Sequence, residues 1–240
     1  MAIHVNTVYQ TVQALANKEQ RGYLTPQEFN RFAHLATREI FEQYFYDLNQ
    51  FKRTPGNSTE SSDMVNLLET KITVFRQDFD AFNLVGAQTA MPADVYRVEQ
   101  VIAQDVDPTT GAASNRRVCD VVTQSDANEL LGSPLTTPTL SNPIAVLGPR
   151  NSSVIALPNT INAMIVAYVK KPNKPEFGYI VVNKKPVYDD SRSTHFEFHD
   201  SEFPELVYRI LSYAGINLKR ADIEQAGQVG QAKQIQQEKI

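Results

Sequence analysis

The chain has 240 residues, of which 42% are hydrophobic and 21% charged, so it has enough apolar material for one elaborated domain or two lobes. A single cysteine excludes a disulfide scaffold and a multi-cysteine zinc or iron–sulfur site. The net charge of −4 gives no bulk attraction to nucleic acid or anionic membrane, and no apolar run approaches the roughly 18 residues of a membrane span. We therefore expect a soluble protein kept inside a cell.

Residues 1–72 are predicted to form an N-terminal helical region. Apolar residues recur from Val5 to Ala16 at the spacing of one helix face. The sequence Thr25-Pro26-Gln27-Glu28 is a capping box with proline at the first helical position, and it predicts the start of a long helix over 26–51. That helix would be roughly 39 Å long, so we expect one end to meet a partner element or subunit. A shorter helix is predicted over 63–72.

Residues 73–200 are predicted to form a β-rich lobe. Gly148-Pro149-Arg150-Asn151 separates two short apolar runs, which predicts a hairpin. The segment 161–169 is apolar on both faces, which indicates a strand that is covered on both sides. Ser125 is the expected cap of a short helix. Further strands are predicted over 94–103, 117–123, 179–182, 187–188 and 196–198.

The C-terminal residues divide into a helix and a polar segment. Residues 201–218 carry a complete amphipathic face, and Gly215 is the expected end of that helix. Residues 219–240 are rich in glutamine and too polar to bury themselves, so we expect them to order against a partner. Apolar residues recur sparsely, at roughly helical spacing, from the end of the helix into this polar C-terminal arm. They are the predicted partner-interface residues, Leu218, Ile223, Ala226, Val229 and Ile235.

Two histidines and a carboxylate, His195, Glu197 and His199, stand at alternate positions. On a strand these side chains point the same way and could hold a metal, as in a metal-dependent hydrolase. The favoured alternative is an edge strand with Phe196 and Phe198 inward and the polar groups outward, because no second ligand cluster lies nearby in the sequence.

The remaining reactive groups each have a structural explanation. Cys119 lies among valines, which indicates a small buried hydrophobe rather than a nucleophile. The carboxylate pairs Asp78/Asp80 and Asp189/Asp190 suit a solvated face and a turn. The lysines at 170, 171, 174, 184 and 185 suit a solvated rim, although contact with an acidic subunit stays open.

Phosphate-cradling and nucleophile motifs are absent. We therefore expect no catalytic residue, no metal and no cofactor.

Several segments carry a resemblance to a known family. They are NTVYQTVQALANKEQRGYLTPQEFNRFAHLATREIFEQYFYDLNQF (6–51), IVAYVKKPNKP (165–175), YIVVNKKPVYDD (179–190) and STHFEFHDSEFPELVYRILSYAGINLKRADIEQ (193–225). The chain resembles the head-to-tail connector proteins, also called adaptor or ring proteins, of podovirus-type tailed bacteriophages, including crAss-like phages. The resemblance covers residues 1–52 and 143–230.

The resemblance implies a non-enzymatic ring of about twelve copies below the portal protein. The implied fold is α+β, with a bundle of the N- and C-terminal helices, an antiparallel, sandwich- or barrel-like β-rich lobe, and an extended C-terminal arm. The implied neighbours are the portal and downstream tail or ring proteins, with double-stranded DNA passing through the channel without sequence-specific binding and no membrane. The implied location is the virion neck, after synthesis in the host bacterial cytoplasm. The alternatives are another virion structural module, such as a tail or capsid decoration protein, and the metal-dependent hydrolase.

Overall fold

The computed structural model of the chain describes residues 2–16, 24–53, 63–82, 84, 86–106, 113–217 and 229. This part of the chain has a mixed α+β fold, with five helices and a large, nearly closed, barrel-like sheet of seven strands. The α+β class and the β-rich lobe expected from the sequence are therefore confirmed.

The first three of the five helices begin where the sequence patterns place them. They are α1 (Val5–Ala16), α2 (Pro26–Arg53), α3 (Asp63–Thr73), α4 (Gln124–Gly132) and α5 (Phe203–Asn217). The capping box of α2 forms as predicted, because the Thr25 amide donates to Glu28 Oε2 at 3.1 Å and the Glu28 amide donates to Thr25 Oγ1 at 3.3 Å. Helix α4 is capped by Thr123, which accepts from the Asp126 amide, and not by Ser125 as predicted.

Helix α5 packs against α1 and α2, and α2 also packs against α3. The buried face of α5 is the one that the sequence predicts: Leu206, Val207, Ile210, Leu211 and Ala214. The prediction that the helix ends at Gly215 is wrong, because the helix continues to Asn217. Gly215 is itself buried, so packing against neighbouring elements outweighs the roughly 1 kcal/mol that a glycine costs inside a helix.

The seven strands of the large sheet come from one stretch of the chain. They are β1 (Arg76–Ala81), β2 (Gln88–Ala90), β3 (Val95–Val106), β4 (Ala113–Val122), β5 (Ile144–Leu147), β6 (Ser153–Leu157) and β7 (Ala163–Lys170), and their order in the sheet is β1-β7-β3-β4-β5-β6-β2. Strand β7 is covered on both faces, as the sequence predicts. On one face Met164 and Val166 lie beside Ala103 and Val101 of β3, and these side chains belong to the core of the sheet.

One strand pair departs from the antiparallel pattern that we expected. Strands β4 and β5 pair in parallel, with Asp120 opposite Ile144 and Val122 opposite Val146. A parallel pair needs a long crossover, and residues 123–143, which include α4, provide it. Ala127 of α4 packs against Ile144 and Val146. The other pairs of the large sheet are antiparallel.

A second, two-stranded sheet is formed by β8 (Tyr179–Val182) and β9 (Lys185–Tyr188). Its two-residue turn places Asn183 and Lys184 at φ of 50° and 64°, as in a type I′ hairpin. The strand predicted over 196–198 is wrong, since only an isolated bridge between Ile3 and Phe196 forms there. Side chains near this bridge bond to other backbone amides: Glu197 accepts from the Asn173 amide, 24 residues earlier, and His199 accepts from the Ser201 amide.

The chain forms two compact units, Met1–Val74 with Pro172–Ile240, and Phe75–Lys171. The sequence-based division placed residues 172–200 with the β-rich lobe, whereas the structure groups them with the helices. The physical reason is pairing inside the first unit: Ile3 bridges Phe196, and Asn30 of α2 exchanges hydrogen bonds with the backbone of Phe177.

Candidate functional site

The β8–β9 hairpin exposes apolar side chains to solvent. The exposed fractions are 48% for Ile180, 65% for Val181, 50% for Val182 and 47% for Val187. Ile180 and Val187 lie opposite each other on one face, whereas Val181 lies on the other face. In the described part of the chain no third strand pairs with this hairpin. The outer edges of β8 and β9 can therefore accept a strand from another chain.

The base of the hairpin is fixed to the first unit by aromatic rings. The Phe177 ring lies 4.3 Å from Tyr9, 5.3 Å from Tyr188 and 6.5 Å from Tyr179, measured between centroids. The chain also passes Arg192 closely at Gly178, where a Cβ atom would lie 2.6 Å from the Arg192 carbonyl carbon. The base is therefore held rigidly, while the apolar strands beyond it are exposed.

A cluster of two histidines and a carboxylate lies next to this base. The His4 and His195 rings are 4.3 Å apart between centroids, and the Nε2 atoms of His4 and His195 lie 3.8 Å and 3.7 Å from Asp190 Oδ1. Tyr188 donates its hydroxyl proton to the same Asp190 oxygen at 2.7 Å. Burial and this hydrogen bond raise the pKa of Tyr188, so the hydroxyl remains a donor at neutral pH.

The trio proposed from the sequence is not brought together. His195 turns toward His4 and Asp190, whereas both Glu197 carboxylate oxygens accept hydrogen bonds from Asn173 at 2.9 Å. The ring of His199 accepts from the Ser201 amide and caps the 3₁₀ turn Asp200–Glu202. The inward placement of Phe196 and Phe198, which the alternative interpretation predicted, is confirmed.

The other reactive groups lie where the structural interpretation places them. Cys119 is 4% exposed, and burial raises the pKa of its thiol to about 11, which makes the thiolate scarce at neutral pH. Asp78 and Asp80 lie on the exposed face of β1. Asp189 accepts from the Ser191 amide and caps the short 3₁₀ turn Asp190–Arg192, which is the turn role predicted for it.

Four of the five lysines considered from the sequence are exposed, and Lys170 is half-buried. One of them, Lys174, joins Arg31 and His34 at an open groove of 460 Å³ along α2. Burial, together with Lys174 and Arg38, lowers the pKa of His34, so that ring is uncharged at neutral pH. The lysine positions therefore fit a solvated rim, and Lys174 also lines the open groove along α2.

Sequence patterns missed a buried ionic network. Arg209 of α5 is 1% exposed; it donates to Glu205 Oε1 at 2.7 Å through Nε, and its Nη1 lies 2.8 Å from Glu39 Oε1. It also contacts Gln43. A second buried pair joins Lys71 Nζ to Glu202 Oε1 at 2.6 Å. The only available signal was that these residues fall on helix faces next to apolar ones.

The predicted partner-interface residues lie almost wholly outside the described residues. Four of them lie outside the described residues: Leu218, Ile223, Ala226 and Ile235. Val229 is described, has helical backbone geometry and is 53% exposed. Their role as interface residues stays a prediction.

No protein-family model matches the sequence, and no curated protein matches it either. None of the helices in the described part of the chain is long and apolar enough to cross a membrane.

Proposed function

We propose that this chain is a structural subunit of a head-to-tail connector ring in a tailed bacteriophage, attached to the portal and lining the DNA channel. The observation that carries this proposal is the exposed apolar β8–β9 hairpin. The sequence resemblance to connector proteins supports the same function.

The hairpin has the properties of a subunit contact. A two-stranded sheet is marginal by itself, and a single subunit leaves Ile180, Val181 and Val187 in water. Full burial of one such aliphatic side chain contributes about 1.5–3 kcal/mol. A neighbouring subunit that adds a strand to the open edge would supply backbone hydrogen bonds and cover for these side chains.

A ring follows if the contact joins two different surfaces. The hairpin of one subunit then meets another surface of the next copy, and repetition of this heterologous contact closes into a ring when the rotation allows it. The ring would contain about twelve copies, the number that the resemblance to connector proteins implies. The net charge of −4 per chain would repel DNA phosphates, which limits sticking of the DNA in transit.

The proposal includes the finer architecture expected from the sequence. Helices α1, α2 and α5 would form the helical bundle of each subunit, which is in keeping with the packing of α5 on α1 and α2. Residues 219–240 would form the arm that reaches the portal. Its contact residues would be Ile223, Ala226, Val229 and Ile235, together with Leu218 just before the arm.

Copy number in purified virions tests this function. Quantitative mass spectrometry should give a ratio of this chain to the portal protein near one to one. A large excess over the portal would indicate capsid decoration, and absence from the particle would exclude any virion role; both results contradict the proposal.

Deletion of residues 219–240 tests the arm separately. The truncated chain should keep the circular dichroism spectrum of the full chain but fail to attach to isolated portal rings. Attachment that survives the deletion would show that the arm does not make the contact, without bearing on the copy number in virions.

A further inference from the structure

His4 lies just before α1, whereas Asp190 and His195 lie in the segment after the β8–β9 hairpin, and a pair of backbone hydrogen bonds brings these two segments together. The Ile3 amide donates to the Phe196 carbonyl at 3.0 Å, and the Phe196 amide donates to the Ile3 carbonyl at 3.1 Å. This bridge places the residues that flank it, His4 and His195, side by side just before α1 begins. Asp190 is the first residue of the neighbouring 3₁₀ turn.

The spacing within this cluster differs from that of direct hydrogen bonds. The two histidine-to-carboxylate distances, 3.8 Å and 3.7 Å, exceed the range of about 2.7–3.2 Å for N–H···O bonds. One ligand atom from each of the three residues lies within 4.8 Å of the other two. Metal bonds of about 2.0–2.1 Å in a tetrahedron place ligand atoms about 3.4 Å apart. The two histidine-to-carboxylate distances therefore need to contract by only a few tenths of an ångström, and the two imidazole nitrogens, which lie within 4.8 Å of each other, need to approach by at most about 1.4 Å.

We propose that His4, Asp190 and His195 bind one divalent transition-metal ion, with Zn²⁺ as the best match, and that water completes the coordination. Two imidazole nitrogens and one carboxylate oxygen suit Zn²⁺ rather than Mg²⁺ or Ca²⁺, which take oxygen ligands. In the described part of the chain no other group of three such side chains converges in this way.

Neighbouring groups already orient the carboxylate for this role. Tyr188 donates to Asp190 Oδ1 at 2.7 Å, which is the outer contact that a metal-bound carboxylate commonly accepts. The half-exposed His4 and the largely exposed Asp190 leave a path for the ion to enter. Coordination through His195 Nε2 requires a proton on Nδ1, so it displaces the Val5 amide contact, which at 3.5 Å is too long to contribute much.

The ion would cross-link two segments that are distant in the sequence. It would connect the start of α1 to the segment after the β8–β9 hairpin, because His4 is separated from Asp190 and His195 by most of the chain. Binding to the folded state alone raises stability in proportion to the logarithm of the free metal concentration. The thermal midpoint of the full chain should therefore rise with added Zn²⁺, whether or not the ring forms.

Calorimetric titration of the chelator-treated full chain with Zn²⁺ tests the site. We expect one Zn²⁺ per chain, with binding weakened roughly tenfold or more by His4→Gln and by Asp190→Asn. Both substitutions are at exposed positions, so the folded variants can be verified by circular dichroism before titration. Co²⁺ in place of Zn²⁺ should give the intense visible absorption of a tetrahedral site.

The matched control is His199→Asn, which removes a nearby imidazole but keeps an oxygen that can cap the 3₁₀ turn Asp200–Glu202. Its zinc affinity should equal that of the unmodified chain. Absence of stoichiometric binding, or binding that His199→Asn weakens while His4→Gln leaves it unchanged, would overturn the proposed site. Neither result would bear on the copy number of the chain in virions.

Discussion

Arg209 has the largest fully buried side chain among the described residues. Burial alone lowers the pKa of a guanidinium, but the carboxylates of Glu205 and Glu39 outweigh that effect and raise the pKa of Arg209 above its ordinary value. Glu205 is buried as well, and its carboxylate is paired with the Arg209 guanidinium. Arg209 also pairs with Glu39 and contacts Gln43, so this one buried guanidinium connects α5 to α2.

We expect Arg209→Met to lower the free energy of unfolding by about 3–5 kcal/mol, because it removes the cation that is paired with the buried Glu205 carboxylate. Urea titration followed by circular dichroism measures this loss. The double variant Arg209→Met with Glu205→Leu should recover most of this loss, since the buried carboxylate that Arg209 pairs with is then removed as well. A loss below about 1 kcal/mol in the single variant would contradict the role of this pair.

Cys119 gives a pH-dependent prediction. Burial raises its thiol pKa to about 11, so at pH 8 the folded chain should react with iodoacetamide about a hundredfold more slowly than the urea-unfolded chain. As pH rises above the ordinary thiol pKa, the unfolded chain loses a proton that the folded chain keeps, so the free energy of unfolding should fall between about pH 9 and 11. Cys119→Ala should remove that part of the pH dependence. Equal alkylation rates in the two states would contradict the burial of this thiol.

At the scale of elements, the turn of the β8–β9 hairpin places a non-glycine residue, Lys184, in an unfavourable left-handed conformation. Lys184 adopts φ of 64°, a left-handed conformation that costs a non-glycine residue about 1 kcal/mol. An Asn-Gly pair is the preferred sequence for a type I′ turn, and Asn183 already occupies the first position. The hairpin therefore has a single position at which glycine is expected to help.

We expect Lys184→Gly to raise the free energy of unfolding by about 0.5–1 kcal/mol, measured by urea titration. The matched control is Lys185→Gly, which removes the same charge one residue later, inside β9, and should lower stability because glycine weakens a strand. If both variants change stability in the same direction, lost charge rather than turn geometry is the cause.

At the scale of the whole molecule, the exposed hairpin predicts self-association. Val181→Asp places a charge at the most exposed valine of β8 and should prevent ring formation, because burying an unpaired carboxylate in a subunit contact is costly. Native mass spectrometry of the purified chain measures the oligomer. Since Val181 is already exposed, the folded subunit should keep its thermal midpoint.

The control for this experiment is Val118→Asp, which changes an equally apolar and exposed side chain on β4 in the other unit. It should leave the oligomer intact. Loss of oligomers in the Val118 variant with retention in the Val181 variant would place the contact on the large sheet and contradict the hairpin.

The sequence alone determined the features that depend on neighbours along the chain. The apolar spacing gave α1 and α5, the capping box at Thr25 and Glu28 gave the start of α2, and the two-sided apolar run gave β7. These patterns are readable because a helix face or a strand face is set by the periodicity of the backbone itself. The burial of Cys119 followed in the same way from its apolar neighbours.

Only the tertiary structure decided which distant segments meet. Three features join residues far apart in the sequence: the parallel pairing of β4 with β5, the grouping of residues 172–200 with the helices, and the contact of Arg209 with Glu39. His195 was noticed with Glu197 and His199 because they alternate along the chain, yet its partners are His4 and Asp190. Spacing along one segment fixes which way side chains can point, but contact between segments depends on how the whole chain packs, and no local pattern encodes that.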